Sequence, residues 1–349
     1  MATVIENVHD ALRAAPKRWL LTGAAGFIGS NILETLLSLG QTVRAVDNFS
    51  TGKQQNLSDV RNAVGDSAWR LCEFVEGDIV DQRFCETICT DIEIVCHQAA
   101  LGSVPRSIQN APTSHASNST GFLNLIDAAA KQNIKRFVFA SSSSVYGDSE
   151  ALPKREPVLG KPLSPYAVTK RENELYAQVY ADLFNIQVVG LRYFNVFGPR
   201  QDPDGPYAAV IPKWILAFLG KGDLTINGTG ETTRDFCFVQ NAVQANLLAA
   251  CVETPHALDT NYNIAVGTQT SLSNLISLIQ DAFHAADIGC KTPQIRRNPF
   301  RPGDVLHSLA DITLAQQNLG YRPTHSLQQG LHETVVWFAK TFSEVQASS

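Results

Sequence analysis

No apolar run in this sequence nears the ~18 residues needed to cross a bilayer, which argues against a transmembrane helix and against a membrane as partner. A signal-peptide pattern is missing too, because Glu6, Asp10 and Arg13 interrupt the would-be apolar segment of residues 1–17. Val4, Val8 and Leu12 instead predict a short amphipathic helix on the outside of a domain. Cys-x-x-Cys does not occur among the seven scattered cysteines (Cys72, Cys85, Cys89, Cys96, Cys237, Cys251 and Cys290), and the eight histidines are dispersed. That pattern speaks against a disulfide framework, predicts free thiols in a reducing cytoplasm and gives no metal site to expect. Long basic runs are lacking as well. Lys and Arg number 28 against 33 Asp and Glu, a net −5 spread along the chain, so nucleic acid is not an expected partner. There is no internal repeat and no low-complexity tract. What is present, 44% hydrophobic residues, suffices for a buried core. The length suggests about two domains or one large one.

The chain is organised around residues 20–30, Leu-Leu-Thr-Gly-Ala-Ala-Gly-Phe-Ile-Gly-Ser. An apolar run over 19–21 leads into Gly23, Gly26 and Gly29, and Phe27, Ile28, Ile32, Leu33, Leu36 and Leu37 start a helical pattern at once. A strand turning tightly into a helix gathers free backbone N–H groups and the positive helix end at one point, which suits a pyrophosphate. Three glycines also suit a plain tight turn. Asp47 tips the balance. It closes the apolar run 43–46 within about 20 residues of the glycines, where a carboxylate accepts hydrogen bonds from an adenosine ribose, and so favours NAD over NADP.

Strand and helix patterns then alternate. Strands are predicted at 72–76, 92–96, 136–140 and 188–193, and helices at 56–64, at 112–131 and after Ser164. This rhythm predicts an α/β fold, a Rossmann-type doubly wound parallel sheet with ligands at the carboxyl ends of its strands. Gly23, Asp47, Asp78, Ala99, Ser142 and Tyr193 fall at such ends. Asp78 suits either an adenine amino group or the cap of the next helix. The small residues of Gln98-Ala99-Ala100 would let the backbone pass a cofactor, or form a plain tight loop. Beyond Gly198 a loop rich in Pro, Asp and Gly marks a boundary, and the elements shorten. The predicted division is an NAD-binding domain over 1–198, to which segments near 235–268 return, and a smaller α/β substrate-binding region over 199–349.

Four hydroxyls, Ser141, Ser142, Ser143 and Ser144, end a core strand, where buried hydroxyls need partners. Ser164 and Pro165 suit the N-cap and first position of a helix, so Tyr166 and Lys170, four apart, share a face. A free tyrosine titrates near ~10. A phenolate near neutrality therefore needs help from the neighbouring ammonium, the helix N-terminus and a positive nicotinamide ring.

Gly23, Gly26, Gly29, Asp47, Ser142, Tyr166 and Lys170 together resemble an extended short-chain dehydrogenase/reductase, and the resemblance runs over residues 17–321. It implies Ser142, Tyr166 and Lys170 as the catalytic set, with Ser143 and Ser144 left open beside Ser142. Phe27, Ile28, Asn48, Asp78, Ile79, Gln98, Ala99, Ala100, Asn118 and Tyr193 would join the glycines and Asp47 around NAD. Gly102, Ser103, Ser143, Asn195, Ala209 and Val210 would face the sugar nucleotide, with Arg234, Arg301 and Asp304 at its diphosphate and ribose.

Residues 99–107 and 192–198 are similar to those of UDP-sugar 4-epimerases, especially the bacterial UDP-N-acetylglucosamine/UDP-N-acetylgalactosamine enzymes. Epimerases restricted to unacetylated sugars carry a tyrosine where this chain has Ser308; that residue, Gly102 and Ala209 would leave room for a 2-acetamido group. The implied activity is reversible inversion at carbon 4 through a 4-keto sugar and transient NADH, in a homodimer paired through the helices at 112–131 and 164–184. A UDP-N-acetylhexosaminuronic acid or UDP-glucose/galactose stays open as substrate, as does, more distantly, a non-catalytic NAD(H)-sensing regulator. Ser143 and Ser144 stand where a 4,6-dehydratase needs an acid pair, and the Glu usual in a uronate decarboxylase is absent.

Overall fold

Short strands rich in β-branched and aromatic residues pair side by side here, and the helices between them cover both faces. The computed structural model describes residues 3–204, 209–299 and 306–347. Among these residues the main sheet has seven strands: β1 (Arg18–Thr22), β2 (Thr42–Asp47), β3 (Cys72–Glu76), β4 (Ile94–His97), β5 (Arg136–Ser142), β6 (Gln187–Tyr193) and a last strand, Thr260–Ile264. Their order across the sheet is Thr260–Ile264, β6, β5, β4, β1, β2, β3, and every pairing is parallel. The order reverses between β1 and β4, and a crevice opens there at the carboxyl ends. This is the doubly wound sheet that the alternation predicts.

Strand periodicity sorts the side chains. Leu21, Val43, Ala45, Cys96 and Val138 point to one face, where the Phe27–Ser38 and Val239–Cys251 helices pack. Leu20, Val46, Val95, Phe137 and Phe139 point to the other, against Phe122, Leu125 and Ile126 of the Gly121–Lys131 helix. Burial on both faces explains why these strands read as continuous apolar runs. The predicted N-terminal helix is Val4–Ala14, capped by Thr3 and Glu6, with Leu12 inserted into the first of these layers.

A separate apolar cluster forms where the Val210–Phe218, Leu272–Ala285 and Leu327–Ala347 helices meet the Leu224–Asn227 strand around Trp214, Ile215, Phe283 and Phe338. The chain leaves this cluster to supply the Val239–Cys251 helix and the Thr260–Ile264 strand to the main sheet.

Three elements differ from expectation. The strand predicted at 92–96 lies at Ile94–His97, and the helix at 56–64 extends to Gln54–Trp69 with a break at Gly65 (φ +79°). The single helix expected over 112–131 is instead a short turn, Ala111–His115, a π-helical turn, Ala116–Thr120, and then Gly121–Lys131. No described helix is long and apolar enough to cross a membrane.

Burial of the thiols sets the behaviour of the fold in alkali. All the cysteines are free; burial pushes Cys72, Cys85, Cys89 and Cys96 up to about 12, Cys251 up to about 11, and Cys237 upward as well. An unfolded thiol loses its proton near ~8.5, so between there and the raised values the folded state binds more protons and loses stability as pH rises. Lys170, brought down to about 8, and Lys154, also lowered by burial, act in the opposite sense. We expect melting temperature, followed under reducing conditions from about pH 8 to about pH 10.5, to fall progressively above about pH 9, at roughly 1.4 kcal/mol per thiol per pH unit at most. A flat profile would contradict this account.

Candidate active site

The glycine turn is built by close backbone approach. Gly23 has φ +71°, and a Cβ on it would lie 2.7 Å from the backbone N of Ala99; a Cβ on Gly29 would lie 2.0 Å from the carbonyl oxygen of Gly23. Without these side chains the Phe27–Ser38 helix seats directly on the end of β1, with Gly26 at its N-cap. The first N–H groups of that helix face a cleft of about 510 Å³ that opens at the sheet's carboxyl edge. A cradle that any side chain would fill, at a positive helix end, fits a pyrophosphate.

Asp47 closes β2 at the rim of this cleft. Its Oδ2 accepts from the N–H of Ala25 at 2.9 Å and its Oδ1 from that of Phe49 at 2.9 Å, while burial pushes its carboxyl upward against those bonds. Asn48 Nδ2 donates to Asp78 Oδ2 at 2.9 Å, and Val80 N–H donates to Asp78 Oδ1 at 2.9 Å. Of the two readings open for Asp78, the helix cap falls away: Asp81 caps Gln82–Ile88, and Asp78 lines the cleft. These residues fit the adenosine end of a dinucleotide.

At the other end of the cleft stands the Pro165–Phe184 helix, capped by Ser164, whose Oγ accepts from Ala167 N–H at 3.1 Å. Tyr166 and Lys170 project from it toward the end of β5. Ser142 lines the cleft and is hydrogen-bonded to the Tyr166 phenol, whereas Ser143 is not on the cleft wall and Ser144 Oγ is buried without a partner. Lys170 Nζ donates to the carbonyl of Ala140 at 2.7 Å. Burial brings its ammonium down to about 8, opposed by the charge of Glu174 one turn further on.

The Tyr166 phenol is pushed up, not down, because burial outweighs the Ser142 hydrogen bond. The lowering that a phenolate needs is expected from the Lys170 ammonium, the helix N-terminus and a positive nicotinamide ring acting together, and the last of these comes only with the bound dinucleotide.

Gly23, Gly26, Phe27, Ile28, Gly29, Asp47, Asn48, Asp78, Ile79, Gln98, Ala99, Ala100, Tyr166, Lys170 and Tyr193 line this one cleft, together with Gly102, Ser103, Ser142 and Asn195. Ala209, Val210 and Arg234 line an adjoining cavity of about 230 Å³ that shares Asn195 and Val196 with it. Three of the described residues fall elsewhere, Ser143 among them. Asn118 is off the cleft wall, its amide spent on Leu101 and Thr169. Ser308 is buried with its N–H donating to the Thr233 carbonyl, and it lines neither cavity. Arg301 and Asp304 lie outside the described residues.

Sequence reasoning missed Ser50, Thr51 and Gln201 on the cleft wall, which sit in loops without a motif of their own. It also missed the support beneath. Tyr193 OH donates to Gln98 Oε1 at 3.1 Å and accepts from Asn246 Nδ2 at 2.7 Å, and Gln98 Nε2 donates to Asn246 Oδ1 at 3.0 Å. Glu174 accepts from Ser141 Oγ at 2.6 Å, Arg171 Nη1 at 3.0 Å, and Arg192 Nε and Nη2 at 2.8 and 2.9 Å.

The turn gives a direct test. Gly23→Ala places a methyl group against backbone at a positive φ, so we expect a loss of roughly 1–3 kcal/mol in stability and at least tenfold weaker NAD binding. Melting curves with and without added NAD check both; unchanged NAD stabilisation would refute the cradle.

The comparisons with known proteins agree with this geometry. A model of the NAD dependent epimerase/dehydratase family matches residues 19–265. A putative UDP-glucose 4-epimerase of Methanocaldococcus jannaschii is 36% identical over 320 residues, covering 91% of this chain and 97% of that protein. A UDP-glucose 4-epimerase of Mycolicibacterium smegmatis is 35% identical over 323 residues, covering 92% and 98%. Among solved structures, the UDP-N-acetylglucosamine 4-epimerase of Methanobrevibacter ruminantium, in complex with UDP-N-acetylmuramic acid, superposes with a TM-score of 0.84 at 36% identity, over 93% of this chain and 99% of that one. The glycine cradle, Asp47 and the Ser142–Tyr166–Lys170 group thus stand in a member of the NAD dependent epimerase/dehydratase family, within the short-chain dehydrogenase/reductases.

Proposed function

We propose that this enzyme is a UDP-sugar 4-epimerase that interconverts UDP-N-acetylglucosamine and UDP-N-acetylgalactosamine. The observation that carries the reading is the meeting of Ser142, Tyr166 and Lys170 at the far end of the same cleft that the glycine turn opens. Residues 1–198 with 235–268 would hold the dinucleotide, and the rest of the chain chiefly the sugar nucleotide. When bound, NAD supplies a reversible acceptor for the hydrogen on carbon 4.

The chain's residues handle the proton and the orientation. Tyr166 takes the proton of the 4-hydroxyl and returns it after the 4-keto sugar has turned over, so its phenol is regenerated each cycle. Ser142, bonded to the same phenol, orients the sugar oxygen. Lys170, held by Ala140 on the same helix face as Tyr166, would bind the nicotinamide ribose. Asn195 joins the cleft to the cavity lined by Arg234, where the diphosphate would seat. Room for the acetamido group is supported by Gly102, where an added Cβ would meet nothing within 4 Å, and by the small Ala209. Ser308 gives no direct support, since it stands off both cavities. The free thiols keep the cytoplasm as the proposed compartment.

A homodimer is proposed from the Pro165–Phe184 helix. Val168, Leu175, Val179 and Leu183 form one stripe on it and are 51, 54, 48 and 69% exposed.

Purified enzyme incubated with UDP-N-acetylglucosamine, without added reductant, should yield the galacto epimer by NMR, and faster than UDP-glucose or a UDP-N-acetylhexosaminuronic acid is converted. Tyr166→Phe should lower kcat by about 10²–10⁴-fold; retained turnover would remove the phenol from the reaction. Leu183→Lys should shift the light-scattering mass toward a monomer, and an unchanged mass would place any dimer contact elsewhere.

A further inference from the structure

Ala100, Gly102 and Ser103 lie on a wall of the cleft, in a segment that runs on to Ser107 behind it. Ser103 has φ +96° and ψ +118°, a conformation that a residue with a side chain holds only when its surroundings enforce it. Two ties run from this segment to the helix that carries Tyr166. Both end on the Tyr166 backbone.

The first tie is Ser107. Its hydroxyl is fully buried, accepts from the Tyr166 N–H at 3.0 Å and donates to the carbonyl of Val104 at 2.8 Å. That N–H belongs to the first helical turn and has no partner within the helix; Ser164, the cap, serves Ala167 instead. The second tie begins at Leu101, whose N–H donates to Asn118 Oδ1 at 2.7 Å. Asn118 Nδ2 donates to Thr169 Oγ1 at 3.2 Å, and Thr169 Oγ1 donates to the Tyr166 carbonyl at 2.8 Å. Asn118 lies in the π-helical turn, Ala116–Thr120, a local widening frequent at functional sites.

We infer that Ser107 is a positioning residue for Tyr166, coupling the strained cleft wall at Gly102 and Ser103 to the placement of the phenol. Ser107 is not on the cleft wall, so it acts through Tyr166 and not on the sugar. The inference rests on the reading of Tyr166 as the base. Its basis is geometric: both polar groups of the Tyr166 peptide are tied to the segment against which the sugar would seat. A small displacement of the phenol affects the reaction more than it affects binding.

The test is steady-state kinetics of Ser107→Ala, Thr169→Val and the double variant, with Tyr166→Phe measured alongside. Ser107→Ala should lower kcat about 10- to 100-fold with KM changed less than about threefold, and should move the acidic limb of the kcat/KM pH profile. Thr169→Val should show the same split, and the double variant should lose less than the product of the two single losses, since both ties hold one residue. Parental kcat and pH profile in Ser107→Ala, with Tyr166→Phe inactive, would overturn the inference and leave the base reading intact. An active Tyr166→Phe would overturn the base reading and the inference with it. Should Ser107→Ala fail to fold, Thr169→Val decides: the kcat split supports the coupling, and parental kinetics overturn it.

Discussion

Lys170 is 2% exposed, and an ammonium taken out of water must find compensation where it is buried. One hydrogen bond to Ala140 and the negative charge of Glu174 provide it. Glu174 is itself buried, so the obligation passes on: Arg192 grips it with two parallel bonds, and Ser141 and Arg171 take the remaining acceptor capacity. Arg192 then donates to Tyr146 OH and to the carbonyl of Glu156, and Tyr146 OH donates to Asn263 Oδ1. One buried cation thereby fixes β5, β6, the Thr260–Ile264 strand and the Pro165–Phe184 helix against one another. Removing Glu174 or Arg192 would leave a buried charge without its main counterpart, so the two act as one unit.

What could be read from the sequence was whatever leaves a local mark. A positive φ at Gly23 and backbone contact at Gly29 admit only glycine, so the turn is visible without its surroundings. Ser164 and Pro165 announce a helix start through their own chemistry, and the helix starts there. Strand-end positions follow from period and turn signals, which is how Asp47, Ala99, Ser142 and Tyr193 came to one cleft.

The parts that escaped depend on partners far along the chain. Asn118 sits on a helix that the sequence presents as continuous, and only the π turn rotates its amide toward Leu101. Asp78 suits a cap as well as an adenine contact, and only the assembled loop, in which Asp81 takes the cap, separates the two. Glu174 reads as a surface residue of an amphipathic helix until Arg192, 18 residues later, is brought opposite it by the β6 pairing. The direction of the Tyr166 shift depends on how deeply the phenol is buried, and burial is a property of the assembled fold.

The cleft is assembled from both halves of the chain. Its floor includes Tyr193 and Gln98, and both are bonded to Asn246 on a helix that lies beyond the second apolar cluster's first elements in sequence. Its rim is tied by Lys53 Nζ to Asp202 at 2.7 Å and by Arg200, which reaches Glu34 at 2.6 Å and Asn31 at 2.9 Å on the Phe27–Ser38 helix. The segment after Gly198 is therefore fastened to the glycine-turn helix, and Gln201, just past the boundary predicted there, lies on the cleft wall. On the proposed reaction this joint has a consequence. A sugar that must turn over between two half-reactions needs space at carbon 4 but a fixed nucleotide, and the adjoining cavity around Arg234, sharing Asn195 and Val196 with the cleft, separates those two requirements. On the proposed reaction the rim contacts would keep the segment after Gly198 fastened to the glycine-turn helix while the sugar turns.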